Sequence, residues 1–240
     1  MAFTVMTEAQ TDDAVRYFSE TARQFQDLYH GQPEFHERVR IWNGLLDRYA
    51  PRDGLSLDMG CGPGIFSFYL AAMGGRVVGI DGAADMVELC EVQRRERGLE
   101  NIRFVQARLP VVDESDLADA DLIISSSVVE YIDNLDATLV LFARLLKPGG
   151  VLVVSMPNVV SLSRIHQRMK YMLTRTPGIY QYIRHFSSPA LLHRRVRPYG
   201  LTLAEALYYT HFTRLARLGR ALRLPGILTA DLFVAVFRKT

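Results

Sequence analysis

The stretch Leu55-Ser56-Leu57-Asp58-Met59-Gly60-Cys61-Gly62-Pro63-Gly64 decides the fold. Leu55–Met59 reads as a short strand, and Gly60–Gly64 as the tight turn that closes it. Glycine reaches backbone conformations barred to other residues and lets a ligand come close to the main chain. Ile65–Met73 then reads as a helix ended by Gly74-Gly75. A helix starting there offers its first backbone N–H groups to whatever lies on the turn.

The alternation continues on the C-terminal side. Arg76–Ile80 reads as a strand, Ala83–Arg97 as a helix ended by Gly98, and Ile102–Gln106 and Asp121–Ser125 as strands. Leu135–Leu146 reads as a helix stopped by Lys147-Pro148-Gly149-Gly150, and Val151–Met156 as a strand. The unbroken run Leu122-Ile123-Ile124 is what a strand covered on both faces carries. The repetition predicts an α/β fold, a mostly parallel sheet with helices on both faces.

Two helices precede this core. One presents Ala14, Tyr17, Phe18, Ala22, Phe25 and Leu28 on a single face; Gly31-Gln32-Pro33 breaks it. The other, Glu34–Tyr49, buries Val39, Trp42, Leu45 and Leu46. After Pro157 the rhythm changes. Asn158–Arg175 reads as an inserted amphipathic helix, with Leu162, Ile165, Met169 and Met172 opposite Arg164, Arg168 and Arg175, and Pro177-Gly178 ends it. Pro189–Val196 is a short helix, and Leu201–Tyr209 and Leu232–Phe237 are strands that suit a terminal antiparallel pair. Without an internal repeat or a linker, residues 1–240 read as one domain: a helical cap (1–50), a cofactor-binding core (51–156), a lid and substrate region (157–200) and terminal strands (201–240).

Of the 240 residues, 49% are hydrophobic and 22% charged, which excludes wholesale disorder. Two cysteines, Cys61 and Cys90, exclude a disulfide framework or a Cys-rich zinc site and point to a reducing, cytoplasmic address. No apolar run reaches the roughly 18 residues that cross a bilayer, and the first residues lack the basic-then-apolar order of a secretory signal. Charge is split. Residues 1–159 carry 14 Lys and Arg against 24 Asp and Glu, whereas residues 160–240 carry 14 against 2. Two readings stand: the basic part meets an anionic surface or substrate, or the two halves fit each other. The basic stretch Arg214, Arg217, Arg220 and Arg223, interleaved with Leu215, Leu218 and Leu222, leaves peripheral membrane contact open. Nucleic acid is not expected, because no aromatic–basic motif accompanies the charge.

The second strand ends in Gly79-Ile80-Asp81, followed by Gly82. A carboxylate there accepts hydrogen bonds from two ribose hydroxyls. A dinucleotide fingerprint would put its third glycine at position 65, which is Ile65, and so disfavours an NAD-dependent oxidoreductase. The third glycine is Gly64, and Asp58, two residues before Gly60, would repel a pyrophosphate. A cofactor with an amino-acid end suits these surroundings, which favours S-adenosylmethionine.

Asp58-x-Gly60-x-Gly62-x-Gly64, Asp81 and Leu146-Lys147-Pro148-Gly149-Gly150 together resemble a class I S-adenosylmethionine-dependent methyltransferase over about residues 36–156. The resemblance implies a Rossmann-like sheet of seven strands in the order 3-2-1-4-5-7-6. It implies that Gly60–Gly64, Cys61 included, lines the methionine part, that Asp81 meets the ribose, that Met86 packs near the adenine, and that Gly82 and Ser126 are also cofactor-binding. The family often holds the adenine amino group with an Asp after strand three. Here Ala107-Arg108-Leu109 stands there, so backbone groups and Leu109 are expected to replace it. Tyr17, Tyr29 and Arg40 on the leading helices are candidates to close the site, with an Arg pairing the methionine carboxylate.

The segment Ser126-Ser127-Val128-Val129-Glu130-Tyr131-Ile132 and the inserted basic helix resemble the ubiquinone-biosynthesis O-methyltransferase branch. Tyr131 stands where that branch has His and Ser127 where it has an acid, so no metal site is expected. The resemblance implies methyl transfer to a small aromatic or amphiphilic acceptor, at oxygen first, with N- or C-methylation or a non-catalytic binding module as alternatives. A phenol near pKa 10 gains from a positioned base. His185 among the expected lid residues, with Glu130 and Tyr131 after strand four, are the candidates for the catalytic roles. The oligomeric state is left open.

Overall fold

In the computed structural model, residues 9–22, 32–176, 178–209 and 213–240 are described. The elements run α1 (Ala9–Glu20), α2 (Pro33–Tyr49), β1 (Leu55–Met59), α3 (Ile65–Ala72), β2 (Arg76–Asp81), α4 (Ala84–Glu96), β3 (Ile102–Gln106) and β4 (Ala120–Ser126). They continue with α5 (Leu135–Leu145), β5 (Leu146–Pro157), α6 (Leu162–Thr174), α7 (Pro189–Val196), β6 (Leu201–Tyr209), α8 (Arg214–Ala221), α9 (Gly226–Thr229) and β7 (Leu232–Lys239). The strands form one sheet of seven in the order 3-2-1-4-5-7-6, as the family resemblance implied. β1 to β5 are parallel, and β7 lies antiparallel between β5 and β6.

Each face of the sheet is covered because its strands are apolar on both sides. Leu122 and Ile124 of β4 pack on one face with Trp42, Leu45 and Leu46 of α2 and Phe66 and Leu70 of α3. Ile123 points the other way, into Leu139 and Phe142 of α5 and Leu192 and Val196 of α7. Trp42 is fully buried, stacks on Phe66 and donates from its indole to Tyr209 Oη at 3.3 Å. Each such large side chain contributes about 1.5–3 kcal/mol by leaving water.

Two boundaries differ by more than two residues from the sequence reading. β5 starts at Leu146 rather than Val151, because Leu146 already pairs with Ala120 ahead of an irregularity in the β4–β5 ladder. The inserted helix starts at Leu162 rather than Asn158. Asn158 is held in the sheet layer, its side-chain amide donating to Ile227 O and Ala230 O at 2.8 and 3.0 Å, and Ser161 caps the helix in its place. Phe25 and Leu28 lie outside the described residues.

Some of the opposite charge of the two halves is neutralised internally. Arg220 pairs with Glu37, Arg195 with Asp136 and Arg184 with Asp133. The reading that the halves fit each other accounts for these three arginines. Among the described residues, no helix is long and apolar enough to cross a membrane.

Candidate active site

A cleft of about 1000 Å³, mouth included, opens at the carboxyl ends of β1, β2 and β4. In an open α/β sheet this is where strand order reverses and where ligands bind. Its floor is the turn after β1. Gly60 N and Cys61 N both donate to Ile80 O, at 2.7 and 2.9 Å, which ties the turn to the end of β2. Gly60 has φ +83° and no room beside it: a Cβ there would lie 2.2 Å from Val128 Cγ2. Gly62, at φ +51°, is the opposite case, since a Cβ would meet nothing within 4 Å. Gly62 thus faces open space in the cleft, and its missing side chain leaves room for a ligand.

Two carboxylates flank the turn. Asp58 is buried and accepts from Ser67 Oγ at 2.6 Å. Burial pushes its pKa up to about 7, against the pull of the Ser67 hydroxyl. Asp81 accepts from Gly62 N at 2.8 Å and Ala83 N at 2.9 Å, so it braces the glycine turn from one strand away. Burial raises its pKa, and those backbone donors oppose the shift. Cys61 also lines the cleft; the adjacent Cys90 thiol and burial hold its thiol well above the usual range, so it stays protonated.

The structure gathers most of the residues singled out from sequence. Asp58, Gly60, Cys61, Gly62, Asp81, Gly82, Met86, Ala107, Arg108, Leu109, Ser126 and Tyr131 line the cleft. Gly64 lies just behind the turn and caps α3 in a left-handed conformation. Asp113, on the loop after β3, is exposed and its carboxylate accepts from Ser115 N at 3.0 Å.

Of the other candidates, Tyr17 does not line the cleft; its ring lies 5.2 Å from that of Tyr182. Tyr29 lies outside the described residues. Arg40 is exposed and does not line the cleft. Arg38, half a helical turn earlier, does: it is buried, and its Nη2 donates to Ser126 O and Ser126 Oγ at 2.7 and 2.6 Å. The sequence signal for it was the helical period, since Arg38 leads Trp42, Leu45 and Leu46 at steps of four, seven and eight on the buried stripe. His185 is half-buried behind the wall of the cleft. Its Nε2 lies 2.7 Å from Ile132 O, so the imidazole carries its proton there, and burial lowers its pKa.

Glu130 is buried directly behind that wall. Its backbone oxygen accepts from Arg184 N and His185 N at 2.8 and 3.2 Å, which fastens the segment after α6 to the end of β4. Its Oε2 has no hydrogen-bond partner among the described residues. Burial pushes its pKa up to about 7, and the nearby charges of Arg38 and Arg164 pull the other way. Tyr131 turns its ring into the cleft edge-on to Phe18, 5.2 Å between centroids. Burial and the Glu130 charge hold its phenol far above the usual range, so it stays neutral. The roof comes from α1, where Ala14, Val15 and Phe18 face the cleft.

A family model described as a methyltransferase domain matches residues 53–192, from the approach to β1 as far as α7. The chain belongs to this methyltransferase family. It is 30% identical over 142 residues to a ubiquinone biosynthesis O-methyltransferase of Paracidovorax citrulli, covering 59% of this chain and 60% of that one. The enzyme thus spans less than two thirds of that relative's length. Another protein of the same name, from Nitrosococcus oceani, is 30% identical over 169 residues, covering 68% of this chain and 71% of the relative. Among solved structures it is similar to magnesium protoporphyrin IX methyltransferase from Synechocystis PCC 6803 with bound SAH. The TM-score is 0.71 at 18% identity, over 96% of this chain and all of that one.

S-adenosylmethionine is the cofactor expected of this methyltransferase from its sequence. The cleft fits that molecule. The open space at Gly62 admits a ligand against the main chain, Asp81 stands beside it, and the buried Met86 with Leu109 offers a flat base an apolar slot. At the other end Asp58 and Arg38 supply both charges an amino-acid group needs.

Proposed function

We propose that this methyltransferase methylates a hydroxyl oxygen of a small aromatic or amphiphilic acceptor. When bound, S-adenosylmethionine supplies an activated methyl group on a sulfonium. In this reading Asp81 grips the ribose and Met86 and Leu109 sandwich the adenine. The backbone of Gly60–Gly64 carries the methionine part, with Asp58 toward its ammonium and Arg38 toward its carboxylate. Holding reacting atoms about 3–3.5 Å apart in line supplies several kcal/mol by itself.

The acceptor enters against Phe18, Val128, Tyr131 and Ile132, an apolar and partly aromatic wall. The observation that carries the oxygen assignment is Glu130: a buried carboxylate behind that wall, with its Oε2 unpartnered among the described residues and its pKa near 7. A base near the working pH is suited to take a hydroxyl proton. Ser127 lines the cleft, and its hydroxyl, like Glu130 Oε2, has no hydrogen-bond partner among the described residues; in this reading it offers the path for that proton. His185 then serves as a positioning residue, its amide and that of Arg184 fixing the Glu130 main chain. Tyr131, kept neutral, shapes the wall and does not take the proton.

The test is transfer of labelled methyl from S-adenosylmethionine to a panel of catechols, simple phenols, amines and activated methylenes. Labelling of phenolic oxygens that falls by about 10²–10⁴ in Glu130→Gln supports the reading. Labelling of amines or carbon acids alone, or an unchanged rate in Glu130→Gln, overturns it.

A further inference from the structure

Among the described residues, four besides glycines have a left-handed backbone: Asp119, Ser127, Arg175 and Arg223. Asp119, Arg175 and Arg223 are exposed. Ser127, at φ +56°, instead lines the cleft directly after β4. A residue with a side chain held at positive φ costs free energy and persists only where its surroundings fix it.

Those surroundings are specific. The β4–β5 ladder ends with Ser126 opposite Ser155. The next amide, Ser127 N, donates to Ser155 Oγ at 2.9 Å, a side chain rather than a strand carbonyl. Ser155 is fully buried between Ser126 of β4 and Val234 of β7, so its hydroxyl has a fixed place. Tyr131 N donates to Val128 O at 2.9 Å and closes the turn that follows. The reversal at Ser127 sets Val128 against the turn after β1, where its Cγ2 fills the space that a Cβ on Gly60 would need. Two left-handed residues, Gly60 and Ser127, thus interlock the floor of the cleft with its wall. The Ser127 hydroxyl is left buried and without a hydrogen-bond partner among the described residues. A buried hydroxyl in that state lacks the partner such groups ordinarily have.

We infer that Ser155 is a positioning residue for methyl transfer and that it acts through Ser127. The Ser155 oxygen holds the Ser127 amide, which sets the reversed backbone, and this in turn fixes where the Ser127 hydroxyl receives the hydroxyl of the acceptor. The assignment rests on the hydroxyl-acceptor reading above. Ser155 itself does not line the cleft, so its loss disturbs the alignment of the acceptor and leaves the cofactor in place. A misplacement of about 1 Å in a reacting pair costs roughly a hundredfold in rate.

Labelled methyl transfer to the catechols and simple phenols of the same panel is measured in Ser155→Ala, Ser127→Ala and the double variant. Ser155→Ala is expected to lower kcat about 10–100-fold, with acceptor KM and S-adenosylhomocysteine affinity within about threefold of wild type. The retained affinity, read by calorimetry, shows that the protein is folded. Because the two serines act as a unit, the double variant falls no more than about threefold below the slower single variant. Ser127→Gly keeps the backbone turn without strain but lacks the hydroxyl, so it melts above Ser127→Ala and turns over as slowly. Wild-type kcat in Ser155→Ala or in Ser127→Gly, losses that multiply in the double variant, or a loss seen mainly in S-adenosylhomocysteine affinity overturns the inference. Phenol labelling that falls in Glu130→Gln yet is kept in Ser155→Ala overturns it alone. Labelling of amines or carbon acids only removes the hydroxyl-acceptor reading and the role of Ser155 with it.

Discussion

Replacing Asp81 with Ala removes, in one step, the brace of the glycine turn and the proposed ribose clamp. Oδ2 accepts from Gly62 N and Oδ1 from Ala83 N. A hydrogen bond to a charged group contributes roughly 1.5–3 kcal/mol, but Asp81 is only half-buried and water can return to both amides. Ala also escapes the desolvation that raises the Asp81 pKa. The net loss of stability is therefore about 1–3 kcal/mol, a fall in Tm of several degrees for a chain of this size. Ligand binding suffers more. Two ribose hydroxyls lose an ionised acceptor, roughly 3–6 kcal/mol in all, which weakens binding by about 10²–10⁴. Titration calorimetry with S-adenosylhomocysteine reads the second effect, and a thermal melt without ligand reads the first. Asp81→Asn keeps the shape and one acceptor and should fall between. An Asp81→Ala protein that is folded, yet binds within a factor of about three of wild type, refutes the ribose assignment.

Arg38→Ala is expected to weaken cofactor binding by about tenfold or more, whereas Arg40→Ala leaves it unchanged; equal effects in the same calorimetric titration would remove Arg38 from the site. Gly60→Ala should cost stability, because its Cβ would overlap Val128. Gly62→Val should instead fill the cleft and abolish binding, with only about 1–2 kcal/mol of backbone strain in the melt. Glu130 and Asp58 both have folded pKa values raised to about 7. A raised carboxylate pKa means the native state binds the extra proton. Their contribution to stability is therefore greatest below the unfolded value near pH 4 and is lost as pH rises through about 7. Urea melts at about pH 5 and about pH 8 should show Glu130→Gln gaining on wild type at the higher pH, by up to roughly 3 kcal/mol. A pH-independent difference would contradict the burial-driven shift.

The sheet and the floor of the cleft were legible because both are written in local pattern. The turn at Gly60–Gly64, the apolar run in β4 and the breaks at Gly98 and Lys147–Gly150 each constrain the backbone where they stand. The side walls were harder to read. Arg38 and Arg40 are two residues apart on one helix, and only the buried stripe through Trp42 tells which enters the cleft. His185 suited a base by residue type, but its position behind Ile132 depends on how the segment after α6 returns to the end of β4. That return is made by backbone bonds to Glu130, which no side-chain pattern announces. The start of α6 was misplaced for a similar reason. Asn158 is a poor helix former whose side chain finds carbonyls only in α9 and the residue after it, some seventy positions away.

β7 sits inside the sheet, between β5 and β6, although among the strands it is the last in the chain. A nascent polypeptide emerging from the ribosome therefore carries β1 to β5 with the flank of β5 bare, and β6 has no neighbour to join until residues 232–239 arrive. At about 5–20 residues per second, that interval lasts seconds. During it, the exposed row of backbone donors and acceptors along β5 is open to any other extended segment. Production of this enzyme should thus be sensitive to anything that delays or removes residues 201–239, even though those residues stand apart from the glycine turn.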